Sequence, residues 1–287
     1  MGDYYKVTEL RKNVYRITSA EQVFTDLFVG EEKALLFDTG YGYGDLKAAV
    51  REITDLPLIV VNSHGHLDHT CGNYRFSEDV YIHPADMELC IQHNSKQMRA
   101  GAVENAKHTF FYETGRVESA LPEHFNEAEY IDASYGKLLP VEEGHVFDLG
   151  GISLTVYHVP GHTRGSIGLL YEEEKLFYAG DAMNPFIWLF WPEATQLSEY
   201  IATLTKAESI DFNELVISHG PFPLPKAVLG VFMDAAKNVD FEKGIPYDDD
   251  PLARGAGARI CVREGFGMQD FGKPGFAAVV ISKDHLG

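Results

Sequence analysis

The stretch Asn62-Ser63-His64-Gly65-His66-Leu67-Asp68-His69 constrains this chain more than any other. It sets three imidazoles and a carboxylate within six residues, in the order H-x-H-x-D-H. Neutral imidazole nitrogen and carboxylate oxygen are the donors preferred by a borderline-soft divalent ion such as zinc. The apolar run Leu56 to Val61 precedes the motif. It therefore falls at the end of an expected buried strand, where a rigid element holds loop residues in position. Solvating four polar side chains does not require this spacing, whereas wrapping a metal does.

The pattern has partners further along. His162 lies in Pro160-Gly161-His162-Thr163, Asp181 in Ala179-Gly180-Asp181, and His219 in Ser218-His219-Gly220. Each follows a β-favouring run: Ile152 to Val159, Lys175 to Tyr178 and Leu215 to Ile217. The donors His64, His66, Asp68, His69, His162, Asp181 and His219 exceed what one tetrahedral zinc uses. They suit two ions about 3.5–4 Å apart that share a carboxylate and a water-derived bridge.

Taken in order, Leu36-Phe37-Asp38-Thr39-Gly40, His64 to His69, Pro160 to Ser166, Gly180-Asp181 and His219-Gly220 resemble the metallo-β-lactamase superfamily. The branch is the one with a bridging aspartate, which includes hydroxyacylglutathione hydrolases and lactonases. The resemblance covers roughly residues 10 to 245. It implies an α+β fold, a four-layer αββα sandwich with metals at one edge between the sheets. It implies that His64, His66 and His162 hold one ion, that Asp68, His69 and His219 hold the second, and that Asp181 bridges them. Asp38 matches the family's aspartate behind the ligands, and Asp68 its proton-carrying residue. Zinc is the expected metal, with iron or manganese as alternatives.

Composition bounds the function. With 45% hydrophobic and 23% charged residues, the 287-residue chain reads as an ordinary globular protein. It reads as one domain over residues 1–287 with a helical insertion at about 85–135 and a C-terminal extension at about 245–287. No apolar run approaches the ~18 residues of a membrane span. The polar start, Met1 to Arg16, shows no signal-peptide pattern. Three cysteines, Cys71, Cys90 and Cys261, cannot all pair within one chain, so a reducing, cytoplasmic location is expected. The net charge of −19, with 43 acidic against 24 basic residues, disfavours a nucleic-acid partner, since phosphate recognition needs Lys and Arg. The expected partner is a small-molecule substrate, with no membrane; an oligomer is left open.

Strands are expected at Val14 to Thr18, Gln22 to Val29, Ala34 to Asp38, Leu58 to Val61 and Asp79 to Ile82. Further strands are Glu142 to Leu149, Ile152 to Val159, Ser166 to Tyr171 and Lys175 to Ala179. Helices are expected at Asp45 to Thr54, mainly across 85–130, at Gln196 to Ala207 and at Pro225 to Asn238. The insertion, which carries Met87, Met98, Phe110, Phe111, Tyr112, Phe125 and Tyr130, reads either as a lid or as a helical layer or dimer surface. The tail opens on Asp248-Asp249-Asp250-Pro251, and Arg259 to Arg263 with Phe276 to Ile281 read as a terminal hairpin.

A metal-bound hydroxide could attack an ester-like carbonyl directly, with no G-x-S-x-G nucleophile in the chain. The leading expectation is a dinuclear metal-dependent hydrolase of a small ester, thioester or lactone. The alternatives are a mononuclear iron oxidoreductase of the persulfide dioxygenase type, using His64, His162 and Asp181, a β-lactam or phosphodiester hydrolase of the same superfamily, and a metal-binding protein without catalysis. Asn184 stands where lactonases of the family carry a tyrosine. The run Phe186 to Trp191 reads equally as a pocket mouth for an acyl or aromatic group and as a packing or oligomer patch. Thr163 and Ser166 read as groups around the site or as turn residues. His83 is expected to be a strand-end histidine bonded to backbone, and His158 a packing or supporting residue. His93, His108, His124, His145 and His285 are expected at the surface. Cys71 is expected as a buried small apolar residue.

Overall fold

The computed structural model describes residues 4–111, 115–248 and 250–287. Tyr112, Asp249 and Met1 to Asp3 lie outside the described residues. Contacts group the chain into two compact units, residues 1–154 with 218–221, and residues 155–217 with 222–287.

The first unit is built on a seven-stranded sheet. Its order is Lys6–Arg11, Val14–Thr18, Phe24–Val29, Ala34–Phe37, Leu58–Val61, Val80–Ile82 and Leu138–Pro140. The first four strands form an antiparallel meander, because short turns can join antiparallel neighbours. From Ala34–Phe37 onward the pairing is parallel and needs crossovers. Helix Leu46–Arg51 supplies the first crossover, and the Asp45 side chain caps it by accepting the Ala48 N–H at 3.0 Å. The fully buried strand Ala34–Phe37 is apolar throughout, as a strand covered on both faces must be. Ile17, Leu27, Leu36, Val60 and Val80 are among its core residues.

Between Val80–Ile82 and Leu138–Pro140 run helices Met87–His93, Lys96–Ala106 and Glu127–Asp132. The expectation of a mainly helical stretch fails at Thr109–Phe111 and Arg116–Glu118, which pair antiparallel. Thr109, Phe110, Phe111 and Val117 are β-favouring residues, and this local preference outweighs the helical surroundings. Arg99 in the second of these helices is fully buried. It donates to the carbonyls of Cys71, Asn94 and Tyr130 and lies over the rings of Tyr74 and Tyr130. It thereby fastens these helices to the segment just after the histidine motif.

The second sheet has six strands in the order Val146–Asp148, Ser153–His158, Ile167–Tyr171, Leu176–Tyr178, Glu214–Val216 and Leu224–Pro225, the last four of them in the second unit. Helices Leu197–Ser209 and Val228–Lys237 share one apolar cluster with this sheet through Tyr200, Leu204, Leu229, Phe232, Phe177 and Leu215. The last helix starts later than its sequence suggests. Leu224–Pro225 pairs instead with Glu214 and Leu215, an edge position that proline tolerates.

The expected terminal hairpin is present, with Arg259–Val262 antiparallel to Ala278–Ile281. The tail sheet also takes in Phe186–Leu189, parallel to Ala278–Ile281, and Ile245–Pro246 at the far edge. Four of the six residues in the run Phe186 to Trp191 thus form a strand. The Asp250 carboxylate caps helix Pro251–Gly255, accepting the N–H groups of Leu252 and Ala253. Among the described residues, no helix is long and apolar enough to cross a membrane.

Candidate metal centre

In the first unit the motif leaves strand Leu58–Val61 and turns at once into the one-turn helix Leu67–Thr70, with His66 as its N-terminal cap residue. Gly65 is required between the two histidines. A Cβ there would meet Asp86 O, Cys90 N and Leu89 Cβ at 2.9 Å each. The Gly65 N–H in turn donates to Asp86 Oδ2 at 2.9 Å.

Asp38 governs the imidazoles. It ends its strand in the left-handed region, φ 65°, which aspartate tolerates better than most residues. Its carboxylate accepts the Ser63 N–H and the Ser63 hydroxyl, each at 2.7 Å, and His69 Nδ1 at 2.9 Å. Having given its proton to Asp38, the Ser63 hydroxyl is left to accept from His64 Nδ1, 2.9 Å away. One buried carboxylate therefore fixes the protons of two imidazoles on Nδ1. In a neutral ring this makes Nε2 the nitrogen that carries the lone pair.

The donor atoms converge at metal-ligand spacing. Ligands about 2.05 Å from a tetrahedral zinc lie about 3.3 Å from one another. His64 Nε2 and His66 Nδ1 are 3.1 Å apart. Asp68 Oδ2 lies 3.3 Å from His69 Nε2 and 3.4 Å from His219 Nε2. Burial alone would raise the Asp68 carboxyl, but with no ion between them the protonated imidazoles of His69 and His219 beside it hold it well below the usual carboxylate range. It is therefore ionised at neutral pH.

His219 comes from the short return of the chain, residues 218–221, into the first unit. Two contacts hold that return. Phe24 N–H donates to Ser218 O at 3.1 Å. Buried Arg16, paired through two 2.9 Å bonds with Asp26, donates to Gly220 O.

In the second unit, His162 and Asp181 come together, with Nε2 and Oδ2 3.8 Å apart. A carbonyl oxygen can only accept, so the 3.1 Å bond from His162 Nδ1 to Trp188 O fixes the proton on Nδ1 and leaves Nε2 facing the carboxylate. Gly180, at φ 56°, makes the turn that presents Asp181 from the end of Leu176–Tyr178. Thr163 and Ser166 bond to each other at 2.8 Å and fasten the His162 turn. Asn184 fastens the Asp181 turn, donating to Asp181 O and accepting the Phe186 N–H.

Other histidines sort clearly. His83 Nδ1 accepts the Ala85 N–H at 3.3 Å, a backbone capping role. His108, His124 and His145 are exposed. His93 corrects the expectation of a surface residue: it is buried and stacks on His66, with centroids 5.0 Å apart and an interplanar angle of 23°. His285 is likewise buried, bonded through Nδ1 to Ser282 Oγ at 2.8 Å. Nothing in their spacing distinguished them, because both are packed by residues that fold in around them. Cys71 is buried, with its thiol pushed up to about 11 by burial, and its Sγ–H donates to His93 O. Sequence reasoning also passed over Ser63, Arg16 and the Trp188 carbonyl. A serine beside a ligand histidine was the one available signal.

Residues 20–85 and 99–219 match the Metallo-beta-lactamase superfamily. The chain belongs to that superfamily. Its mixed α/β architecture with several sheets is the superfamily's fold. A solved metallo-beta-lactamase from Pontibacter korlensis superposes with a TM-score of 0.52 at 18% identity, covering 82% of this chain and 99% of that one. Among curated relatives, the acyl-coenzyme A thioesterase MBLAC2 of Bos taurus is 27% identical over 186 residues, 61% of this chain and 63% of that protein. The hydroxyacylglutathione hydrolase GloC of Haemophilus influenzae is 27% identical over 172 residues, 58% of this chain and 69% of that protein. The match thus spans less than two thirds of the thioesterase's length.

Proposed function

We propose that this superfamily member is a dinuclear metal-dependent hydrolase of acyl thioesters. The two sets of donors act as one centre in this reading. His64, His66 and His162 would hold one divalent ion, and Asp68, His69 and His219 the second, with Asp181 within reach of both sets as a shared ligand and zinc as the expected metal. The observation that carries the reading is the fixing of protons on Nδ1 of His64, His69 and His162, which aims each Nε2 lone pair toward further donor atoms at ligand spacing. Facing acceptors in a buried site repel unless a proton or a metal ion lies between them, and a divalent ion can serve several such pairs at once.

When bound, the ions would supply a hydroxide near neutral pH and polarise the acyl carbonyl. The chain's own residues do the rest. Asp38 and Ser63 hold the imidazoles in register. Asp68, kept ionised by His69 and His219, accepts the proton of the attacking water and delivers it to the departing thiolate. The choice of a thioester among ester-like bonds rests on the relatives, one named for acyl-coenzyme A and one for hydroxyacylglutathione.

Elemental analysis of the purified protein followed by a panel of coenzyme A and glutathione thioesters, oxygen esters, lactones and phosphodiesters tests this directly. Two metals per chain with thioester turnover are expected. A single iron with oxygen consumption, or phosphodiester turnover alone, would overturn the reading.

A further inference from the structure

We propose that the aromatic surface formed by the tail sheet of the second unit is the subsite for the apolar acyl chain of the substrate. The inference rests on the thioester reading and names what that reading leaves open, the preferred acyl group.

In strand Phe186–Leu189 burial alternates. Ile187 and Leu189 face the main core of the unit, while Phe186 and Trp188 face away and are only partly buried. On their side the tail has assembled more rings. Trp188 lies 6.0 Å from Tyr247 and is stacked 6.3 Å from Trp191, and Phe186 lies 5.7 Å from Phe271. Phe271 is 61% exposed. A cluster of large rings left half open to water is unusual unless something apolar covers it.

The location selects the occupant. Trp188 O accepts the bond from His162 Nδ1. The surface thus begins one residue's backbone away from a proposed metal ligand, where the reacting carbonyl would be held. An acyl chain extending from that carbonyl past the His162 ring would have these aromatic side chains to pack on. Each methylene removed from water there strengthens binding by up to about fourfold.

The chain's two tryptophans, Trp188 and Trp191, both belong to this cluster, so tryptophan fluorescence, excited selectively at the red edge where tyrosine does not absorb, reports on it. The first experiment titrates the protein with a non-hydrolysable dodecyl thioether, with the methyl thioether as control. A saturable blue shift with the dodecyl probe only is expected, and no shift with either overturns the subsite whether or not the protein turns over thioesters. The second compares kcat/KM for acetyl, octanoyl and dodecanoyl thioesters in the wild type, Phe271→Ser, Trp188→Leu and, as control, Phe110→Ser in the first unit. The ratio of dodecanoyl to acetyl kcat/KM should fall roughly tenfold or more in Phe271→Ser, less in Trp188→Leu, and stay as in wild type in Phe110→Ser. Thioester turnover indifferent to chain length, or unaffected by Phe271→Ser, refutes the subsite and leaves the hydrolase reading intact. Absence of all thioester turnover alongside a dodecyl-dependent shift refutes the hydrolase reading instead. A dimer that Phe271→Ser converts to monomer, with acyl preference unchanged, assigns the surface to a second copy of the chain and overturns the proposal.

Discussion

The two units hold their donors by different means. In the first, side chains orient side chains: Asp38 reaches His69 directly and His64 through Ser63, and Arg16 with Asp26 clamps the backbone beside His219. In the second, backbone does the work: the Trp188 carbonyl orients His162, and turns closed by Thr163, Ser166 and Asn184 set the rest. A side-chain network can be dismantled by single substitutions. A backbone carbonyl cannot be mutated away and depends on the strand that carries it. Robustness to mutation should therefore differ between the halves.

The largest effect expected is at a donor itself. His66→Ala should lose metal and cost several kcal/mol of transition-state stabilisation, roughly a thousandfold in turnover. His83→Ala should retain both, and equal damage from the two, measured by metal content and kcat, would show that the donors are wrongly assigned. Next comes the support of the second unit. Ile281 is fully buried in the strand that pairs with Phe186–Leu189, so Ile281→Ala should destabilise the protein by about 2–5 kcal/mol in denaturant titration. If the comparison is sound, it should also loosen one metal while the other stays. Simultaneous loss of both in a metal-release assay would break the distinction.

Asp38→Asn should weaken metal binding by about 10–100-fold, the usual cost of losing a partner behind a ligand. Competition with a chromophoric chelator reads this. An unchanged affinity would mean that Asp38 only shapes the turn. The smallest effect concerns pH. The folded protein holds the Asp68 carboxyl below its unfolded value, so its contribution to stability is present above the ordinary carboxylate range, about pH 4, and is lost as pH falls through the lowered value. In metal-free protein, Asp68→Asn should flatten the acid side of the Tm profile. A profile that overlays wild type would remove the interaction with His69 and His219.

The donors of the candidate centre stand out in the sequence because metal ligation needs particular side chains at short spacing, and His64 to His69 is contiguous. His162, Asp181 and His219 were legible for a related reason, each ending a β-favouring run. Ser63 escaped notice because a hydroxyl bonds in many ways and only its neighbours decide which. His93 was misread because burial of a lone histidine is set by the helices around it. The run Phe186 to Trp191 announced apolar contact, but its pairing with a strand some ninety residues later has no local signature.

What the residue order determined by itself is the chemistry on offer: imidazoles and carboxylates after β-favouring runs, apolar runs to bury, and an excess of acidic over basic residues. These follow from side-chain type and from periodicities that act over a few residues. Only the tertiary structure decided which ring nitrogen keeps its proton, which backbone carbonyl steadies His162, and that the tail joins the strand beside it. Those outcomes depend on hydrogen-bond partners brought close by packing across the chain, and no short window of sequence contains both partners.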